Sequence, residues 1–109
     1  MYGAGVLTTI SAVHFVYIVR CADGTLYTGY ARDPEARVQV HNRGRGARYT
    51  AGRRPVRLVH CESCESAGDA LRRERQLKGW SRPRKEALIA GARGPLAGQV
   101  HVAQARGGH

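Results

Sequence analysis

The amino-acid sequence predicts an α+β fold, in which a small three-stranded antiparallel sheet is flanked by about three helices. Two segments rich in β-branched and aromatic residues lie on either side of an Asp-Gly turn signal. A third such segment, "VRLVHC", follows later, and three further segments each begin with a helix N-cap residue. At 109 residues, the chain is long enough for one domain with a modest core.

The first two strands are predicted at 14–21, "HFVYIVRC", and at 25–31, "TLYTGYA". The tripeptide Ala-Asp-Gly stands between them, so the two strands form a β-hairpin.

The length of the hairpin loop decides where two tyrosines point. A two-residue Asp-Gly loop would place Tyr17 and Tyr27 on opposite faces, because side chains alternate along a strand. A three-residue loop with Gly24 in a left-handed conformation would place both tyrosines and Gly29 on one face. Gly29 would then leave bare backbone beside Tyr17, with room for a ligand to approach.

The first helix is predicted to begin at Asp33, an N-cap residue that is followed by Pro34 at the first helical position. It should run to about Asn42, and Gly44 should end it. The following segment, 43–55, is expected to be a Gly-rich basic loop.

The third strand is predicted at 56–61 and leads to two more helices. Ser66 is expected to cap a helix over 67–80, with an acidic residue in the capping-box position. Ser81 is expected to cap a last helix over 82–90. Residues Ala67, Ala70, Leu71 and Leu77 recur at helical spacing and are predicted to form the inward stripe of the second helix.

The predicted elements divide the chain into three parts. Residues 14–91 form the folded domain, and residues 1–13 precede it as an N-terminal extension. Residues 92–109 are rich in Gly, Ala and Gln and poor in large apolar side chains. We therefore expect them to form a flexible C-terminal tail.

The strongly basic charge predicts a polyanionic partner. Lys and Arg total 18 against 8 Asp and Glu, which gives a net charge of +10. Nucleic acid is the expected partner, since cations and aromatic rings contact phosphates and bases. The candidate nucleic-acid-binding residues are Arg45, Arg48, Tyr49, Arg53 and Arg54 of the basic loop, together with Lys78.

The sequence contains no sign of a membrane or secreted protein. No apolar run approaches the roughly 18 residues of a membrane span, and the first residues lack a basic start. Three cysteines are an odd number, which argues against disulfides and favours a reducing cytoplasm. The segment Cys61-Glu62-Ser63-Cys64 is interpreted as a strand end with incidental cysteines; a zinc or redox site is the alternative.

Three polar side chains are candidates for chemistry. Glu74 is three residues from both Leu71 and Leu77, so it lies on or beside the inward stripe, where a carboxylate needs an ion pair or a metal. Arg37 and His41 are four residues apart and share one side of the first helix, where they could grip a phosphate. The alternative for Glu74 is an internal salt bridge, with Arg37 as one candidate partner, and the alternative for Arg37 and His41 is an ordinary charged helix surface.

Together these segments resemble the GIY-YIG nuclease family, and specifically its small stand-alone bacterial single-domain subgroup. The motifs that carry the resemblance are, in chain order, Val16-Tyr17-Ile18, Tyr27-Thr28-Gly29, Arg37 with His41 and Asn42, the loop 44–56, and Glu74. The resemblance covers about residues 14–90 and implies a GIY-YIG nuclease-like fold.

The resemblance implies a metal-dependent endonuclease that hydrolyses phosphodiester bonds in DNA, in repair or processing of structured DNA, with RNA not excluded. Tyr17 would orient or deprotonate the attacking water, with its pKa lowered by Arg37 and His41, and Tyr27 would complete the network. Glu74 would bind Mg²⁺, for which Mn²⁺ could substitute. No obligate protein partner is indicated, and the protein would be a monomer or a homodimer.

A non-catalytic basic nucleic-acid-binding module is the alternative function. Many family members have an Asn near the end of the domain that helps at the metal site, and residues 79–91 contain none. Salt-sensitive binding without Mg²⁺-dependent cleavage would distinguish this function from that of a nuclease.

Overall fold

The protein is described by a computed structural model that covers residues 13–93 and 102–104. The elements, in chain order, are β1 (His14–Arg20), β2 (Leu26–Ala31), α1 (Pro34–Asn42), α2 (Arg48–Ala51), β3 (Arg57–Cys64), α3 (Ala67–Lys78), α4 (Arg82–Arg93) and β4 (Val102–Gln104). Residues 1–12 of the predicted N-terminal extension lie outside the described residues, as does most of the predicted tail.

The sheet has the strand order β2-β1-β3-β4. β1 pairs with β2 and with β3 in antiparallel fashion, which confirms the predicted three-stranded antiparallel sheet. β4 adds a short strand parallel to β3, within the segment that was expected to be a tail. Among the described strands β2 is therefore at the edge of the sheet, and one side of its backbone pairs with none of them.

The hairpin between β1 and β2 has the three-residue loop. The backbone N–H of Cys21 donates to the carbonyl of Thr25 at 2.8 Å, which closes the loop over Ala22, Asp23 and Gly24. Gly24 has a φ of 88°, the left-handed conformation that only Gly adopts at little cost. Tyr17 is consequently paired with Gly29, and Tyr17 and Tyr27 share a face of the sheet.

Each face of the sheet buries its own apolar cluster. The helix-α3 face contains Val16, Ile18, Val59, Cys64, Ala70, Leu77 and Ile89, with Tyr30 and Trp80 among the residues packed against them. The helix-α1 face contains Tyr17, Val19, Cys21, Ala31 and Val56, with Tyr27, Val38 and Leu58 packed against them. The alternation of side chains along β1 thus sends Tyr17 to one layer and its neighbours Val16 and Ile18 to the other.

The predicted helix starts are confirmed by their capping hydrogen bonds. The Asp33 carboxylate accepts from the N–H of Ala36 at 3.1 Å, and the Ser66 hydroxyl accepts from the N–H of Asp69 at 3.1 Å. Gly44, at a φ of 82°, follows the end of α1.

Three local features differ from the sequence-based expectations. β3 continues to Cys64, three residues beyond the predicted end, because pairing with β1 continues through the "ESC" segment. The basic loop contains the helical turn α2. Leu71 is 47% exposed, and Ala67 is exposed, so their assignment to the inward stripe of α3 was wrong. Ala70 and Leu77 are fully buried, as predicted.

None of the helices in the described part of the chain has the length and apolar character that would be needed to cross a membrane.

Candidate active site

A cavity of about 290 Å³ opens at the edge strand β2 beside Gly29. Its lining residues are Tyr17, Tyr27, Gly29, Tyr30, Arg37, His41, Gly46, Ala47, Leu71 and Glu74. All five residues that were predicted to be catalytic therefore border one cavity. They come from β1, β2, α1 and α3, which is why the hairpin and two helices must fold together to form it.

Tyr17 and His41 form a buried hydrogen-bonded pair at the base of this cavity. The Tyr17 hydroxyl lies 2.8 Å from His41 Nε2, and both side chains are almost completely buried. On its other side the imidazole places Nδ1 2.8 Å from the hydroxyl of Thr50, a residue of α2. The pair is thus held from both ends.

The contacts of Thr50 assign the proton on His41. The Thr50 hydroxyl donates to the carbonyl of Ala47 at 3.0 Å, so its oxygen accepts from His41 Nδ1–H. A longer contact of 3.4 Å from the Ala47 N–H to Nδ1 favours the opposite tautomer, in which Thr50 would donate to Nδ1 and lose its bond to the Ala47 carbonyl; that bond, at 3.0 Å, is the shorter of the two and favours a proton on Nδ1. Nε2 is then an acceptor, and the Tyr17 hydroxyl donates its hydrogen to it.

Two glycines provide the space for this pair. A Cβ at Gly29 would lie 2.5 Å from the Tyr17 hydroxyl oxygen, and a Cβ at Gly46 would collide with His41 Nδ1. Neither glycine has a positive φ, so the requirement is one of space and not of backbone conformation. The sequence predicted free space at Gly29, but for a ligand; the Tyr17 ring takes that space, and the role of Gly46 was missed.

Burial governs the protonation of both partners. It raises the pKa of Tyr17 well above that of a free phenol; Tyr27 and Glu74 add to the shift, and Arg37 opposes it. Arg37 thus lowers the pKa of Tyr17, as expected, but burial outweighs it, so the expected net lowering was wrong. Burial also lowers the pKa of His41, and Arg37 lowers it further, so His41 is neutral at pH 7.

Tyr27 lies in a column of rings beside the pair. Its ring meets His41 edge-on at a centroid distance of 5.3 Å and stacks on Tyr49 at 5.9 Å. The guanidinium of Arg53 covers the Tyr49 ring at 4.0 Å and also pairs with Asp23 at 3.2 Å. Tyr49, which was expected to stack on bases, thus has ring contacts with both Tyr27 and Arg53 and is 38% exposed.

Glu74 is the carboxylate of the cavity, and a cation already contacts it. The ammonium of Lys78 lies 3.0 Å from Glu74 Oε2, one helical turn away. The alternative ion pair between Glu74 and Arg37 is absent from the described residues, and Arg37 is exposed at the cavity rim. Lys78, which was predicted to bind nucleic acid, is thus engaged at the site itself.

The donor set fits a single Mg²⁺. This ion prefers oxygen ligands, keeps several of its waters, and is commonly held by one or two carboxylates together with substrate phosphates. Glu74 supplies one such carboxylate in a cavity that the side chains of three tyrosines also line. Its contact with the Lys78 ammonium shows that a cation can reach this carboxylate. Among the described residues no group of three or more metal-binding side chains occurs, so a zinc site of the structural type is not formed there.

The remaining predicted nucleic-acid-binding residues lie between α1 and β3. Arg45, Arg48 and Arg54 are exposed there. Arg54 also donates from Nε to the carbonyl of Ala51 at 2.7 Å, which fixes its direction. No side-chain ion pair is formed by Arg45 or Arg48 within the described part of the chain, so both guanidinium groups are available to a polyanion.

Cys61 and Cys64 are free, buried thiols within β3. Burial, with help from Glu62 and Cys64, raises the pKa of Cys61 to about 12. The thiolate needed for redox chemistry is therefore not populated at pH 7.

Sequence reasoning missed two groups near the cavity. The first group is Tyr30 with its hydrogen-bonded partner His14. The strand register places both side chains on the α3 face, and this register could have identified them. A buried cluster behind α3 joins Glu62, His60 and Arg73. The spacing of His60 and Glu62, two apart on one strand, was the signal for this cluster.

Comparison with known proteins identifies the family of this chain. The family model of the GIY-YIG catalytic domain matches residues 13–87. A UPF0213 protein of Staphylococcus aureus strain Mu3 is 58% identical over 76 residues, which cover 70% of this chain and 93% of that protein.

Two solution NMR structures are also similar. One is a UPF0213 protein from Bacillus halodurans, with 44% identity, a TM-score of 0.51, and coverage of 76% of this chain and 88% of that one. The other is a protein from E. faecalis, with 40% identity, a TM-score of 0.50, and coverage of 72% and 83%. The chain belongs to the GIY-YIG nuclease family.

Proposed function

We propose that this protein is a divalent-metal-dependent endonuclease that hydrolyses phosphodiester bonds in DNA. The observation that supports it most directly is the Tyr17–His41 hydrogen bond of 2.8 Å, at a cavity that also contains Arg37 and Glu74. A proton acceptor, a phosphate-binding cation and a metal-binding carboxylate are the groups that hydrolysis of a phosphodiester requires.

Tyr17 acts on the attacking water through His41. Because burial keeps Tyr17 protonated, the phenol cannot act as a free phenolate at neutral pH. It can take a proton from water only while it passes its own proton to His41 Nε2, which is neutral and already accepts its hydrogen bond. Thr50 keeps the imidazole in the tautomer that allows this transfer.

Arg37 and Tyr27 bind the scissile phosphate. The Arg37 guanidinium is exposed at the rim of the cavity, where it can form two parallel hydrogen bonds to phosphate oxygens. Tyr27 is held by its ring contacts with His41 and Tyr49, so its hydroxyl has a fixed direction.

Glu74 would hold the metal, in the place that the Lys78 ammonium now takes beside it. A bound Mg²⁺, or Mn²⁺ in its place, would supply a Lewis acid that stabilises developing negative charge. Glu74 offers its carboxylate to the cavity, and the Lys78 ammonium, half exposed at its side chain, can swing toward solvent and the DNA backbone.

The connector between α1 and β3 supplies the contact with the DNA backbone. Arg45 and Arg48 would neutralise phosphates next to the scissile one. A single module of this size buries roughly 600–1,000 Å² on DNA, which leaves little surface for sequence readout. We therefore propose that the substrate is structured DNA in cytoplasmic repair or processing, recognised by shape.

A nuclease assay over a panel of substrates tests this function. Single-stranded, duplex, flapped and branched DNA, and matching RNA, are incubated with Mg²⁺, with Mn²⁺ or with chelator. We expect metal-dependent cleavage within at least one DNA substrate and none with chelator. Salt-sensitive binding without cleavage of any substrate would contradict the proposal and would favour a binding module.

A further inference from the structure

A second tyrosine–histidine pair borders the cavity. The Tyr30 hydroxyl lies 2.9 Å from Nδ1 of His14, and the two rings are nearly parallel with centroids 6.1 Å apart. Tyr30 lines the cavity, and both residues are partly buried. The role proposed above uses Tyr17, Tyr27, Arg37, His41 and Glu74, and it leaves this pair without a function.

The two tyrosine–histidine pairs approach the cavity from opposite faces of the sheet. Tyr17 belongs to the cluster on the α1 face, together with Tyr27. Tyr30 packs against the cluster on the α3 face, and α3 also carries Glu74. Side chains of both faces line the cavity beside Gly29: Tyr17 and Tyr27 from one, Tyr30 and Glu74 from the other.

This arrangement matches the geometry of phosphoryl transfer. The attacking and leaving oxygens lie roughly in line on opposite sides of the phosphorus. If Tyr17 and His41 act on the attacking water, the departing oxygen lies toward the α3 face. That oxygen receives the electron pair of the breaking P–O bond, and a donor aimed at it would stabilise the transition state.

We propose that Tyr30 is a further catalytic residue, whose hydroxyl donates a hydrogen bond to the departing oxygen, and that His14 is a positioning residue for this hydroxyl. This role requires the tautomer in which His14 Nδ1–H donates to the Tyr30 oxygen at 2.9 Å, which leaves the Tyr30 hydrogen free to point into the cavity. Tyr30 keeps its proton, and the departing alkoxide takes a proton from solvent water. The inference rests on the proposed endonuclease function.

The first test replaces the hydroxyl and keeps the ring. Tyr30→Phe retains the apolar packing against the α3 face, so the protein should fold with an unchanged thermal midpoint. We expect the single-turnover rate at saturating DNA to fall about 100- to 1,000-fold, as for loss of one transition-state donor. The dissociation constant for DNA should change by less than about twofold, since the bond forms only in the transition state.

The second test separates positioning from packing by a double-mutant cycle. His14→Phe keeps a ring stacked on Tyr30 but cannot orient its hydroxyl. We expect this change to lower the rate in the wild-type background and to have no further effect in the Tyr30→Phe background. A purely structural role of His14 would reduce the rate by the same factor in both backgrounds.

The outcomes distinguish the proposed roles of Tyr30 and His14 from the proposed endonuclease function. If the wild-type protein cleaves no substrate, the endonuclease proposal fails. If the wild type cleaves and Tyr30→Phe cleaves at the same rate, Tyr30 is not catalytic and the endonuclease proposal stands. Equal factors for His14→Phe in both backgrounds would overturn the positioning role of His14.

Discussion

At the scale of single residues, the side chains that line the cavity could be predicted from the sequence, but the protonation of Tyr17 could not. Tyr17, Arg37 and Glu74 stand in family motifs, and the structure brings them to one cavity. The expected lowering of the Tyr17 pKa was wrong because burial outweighs Arg37, and burial depends on packing that a single sequence does not specify.

The pH dependence of cleavage tests the role of His41. Burial, followed by Arg37, lowers the pKa of His41 from 6.5. The neutral form accepts the proton of Tyr17, so the rate should persist as the pH falls through 6.5 and decline only at lower pH. The rate at saturating DNA is measured from pH 8 to pH 5, with DNA binding measured at each point. A decline already complete at pH 6.5 would contradict this assignment.

At the scale of elements, helix starts and the hairpin register were readable because caps and turns are local. Asp33, Ser66 and Gly24 act through their own backbone neighbours. The turn α2 was not readable, since no capping side chain marks its start at Ala47. The exposure of Leu71 could not be predicted from the spacing of apolar residues along α3. Leu71 lines the open cavity instead of packing against the sheet.

The segment between α1 and β3 offers a matched pair of glycine substitutions. Gly46→Ala places a methyl group against His41 Nδ1, which should displace the imidazole from Tyr17 and reduce cleavage about 100-fold or more. Gly52→Ala meets no atom within 4 Å and should leave cleavage unchanged. Both variants are compared by single-turnover rate and thermal midpoint. Equal rates for the two would refute the spatial role of Gly46.

The buried cluster behind α3 fixes this helix to β3. Arg73 donates to both Glu62 oxygens, at 2.8 and 3.1 Å, and His60 Nε2 lies 2.8 Å from Glu62. Burial raises the pKa of Glu62, but these hydrogen bonds outweigh it and lower the pKa to about 2. The charged carboxylate therefore stabilises the fold above pH 4.5, and this contribution is lost as the pH falls from 4.5 toward 2.

Glu62→Gln removes this charge and leaves Arg73 without its anion. The free energy of unfolding in urea at pH 7 should fall by about 3 kcal/mol, as when one member of a buried pair is lost. The decline in stability between pH 4.5 and 2 should also be shallower than in the wild type. Unchanged stability at pH 7 would show that the cluster does not anchor α3.

At the scale of the whole molecule, the net charge of +10 predicted a polyanionic partner but not which arginines are free to bind it. The structure separates them. Arg48 has no ion pair among the described side chains, whereas Arg72 pairs with Asp69 and Arg73 with Glu62.

Salt dependence of DNA binding measures this difference. Arg48→Ala should weaken binding and reduce the slope of log K against log salt by about 0.9, the value for one phosphate contact. Arg72→Ala, which removes an already paired charge from the exposed side of α3, should leave the slope unchanged. Equal slopes for Arg48→Ala and the wild type would place the DNA elsewhere on the molecule.

The central claim is that a cavity built on the hairpin and two helices hydrolyses a phosphodiester with one carboxylate-bound metal. The most direct measurement compares wild type and Glu74→Gln for DNA binding and for Mg²⁺-dependent cleavage of the best substrate. We expect Glu74→Gln to bind DNA within about threefold of the wild type, since Glu74 carries no attraction for phosphate. Its cleavage should fall by about a thousandfold or more. Cleavage by Glu74→Gln at the wild-type rate would contradict the account.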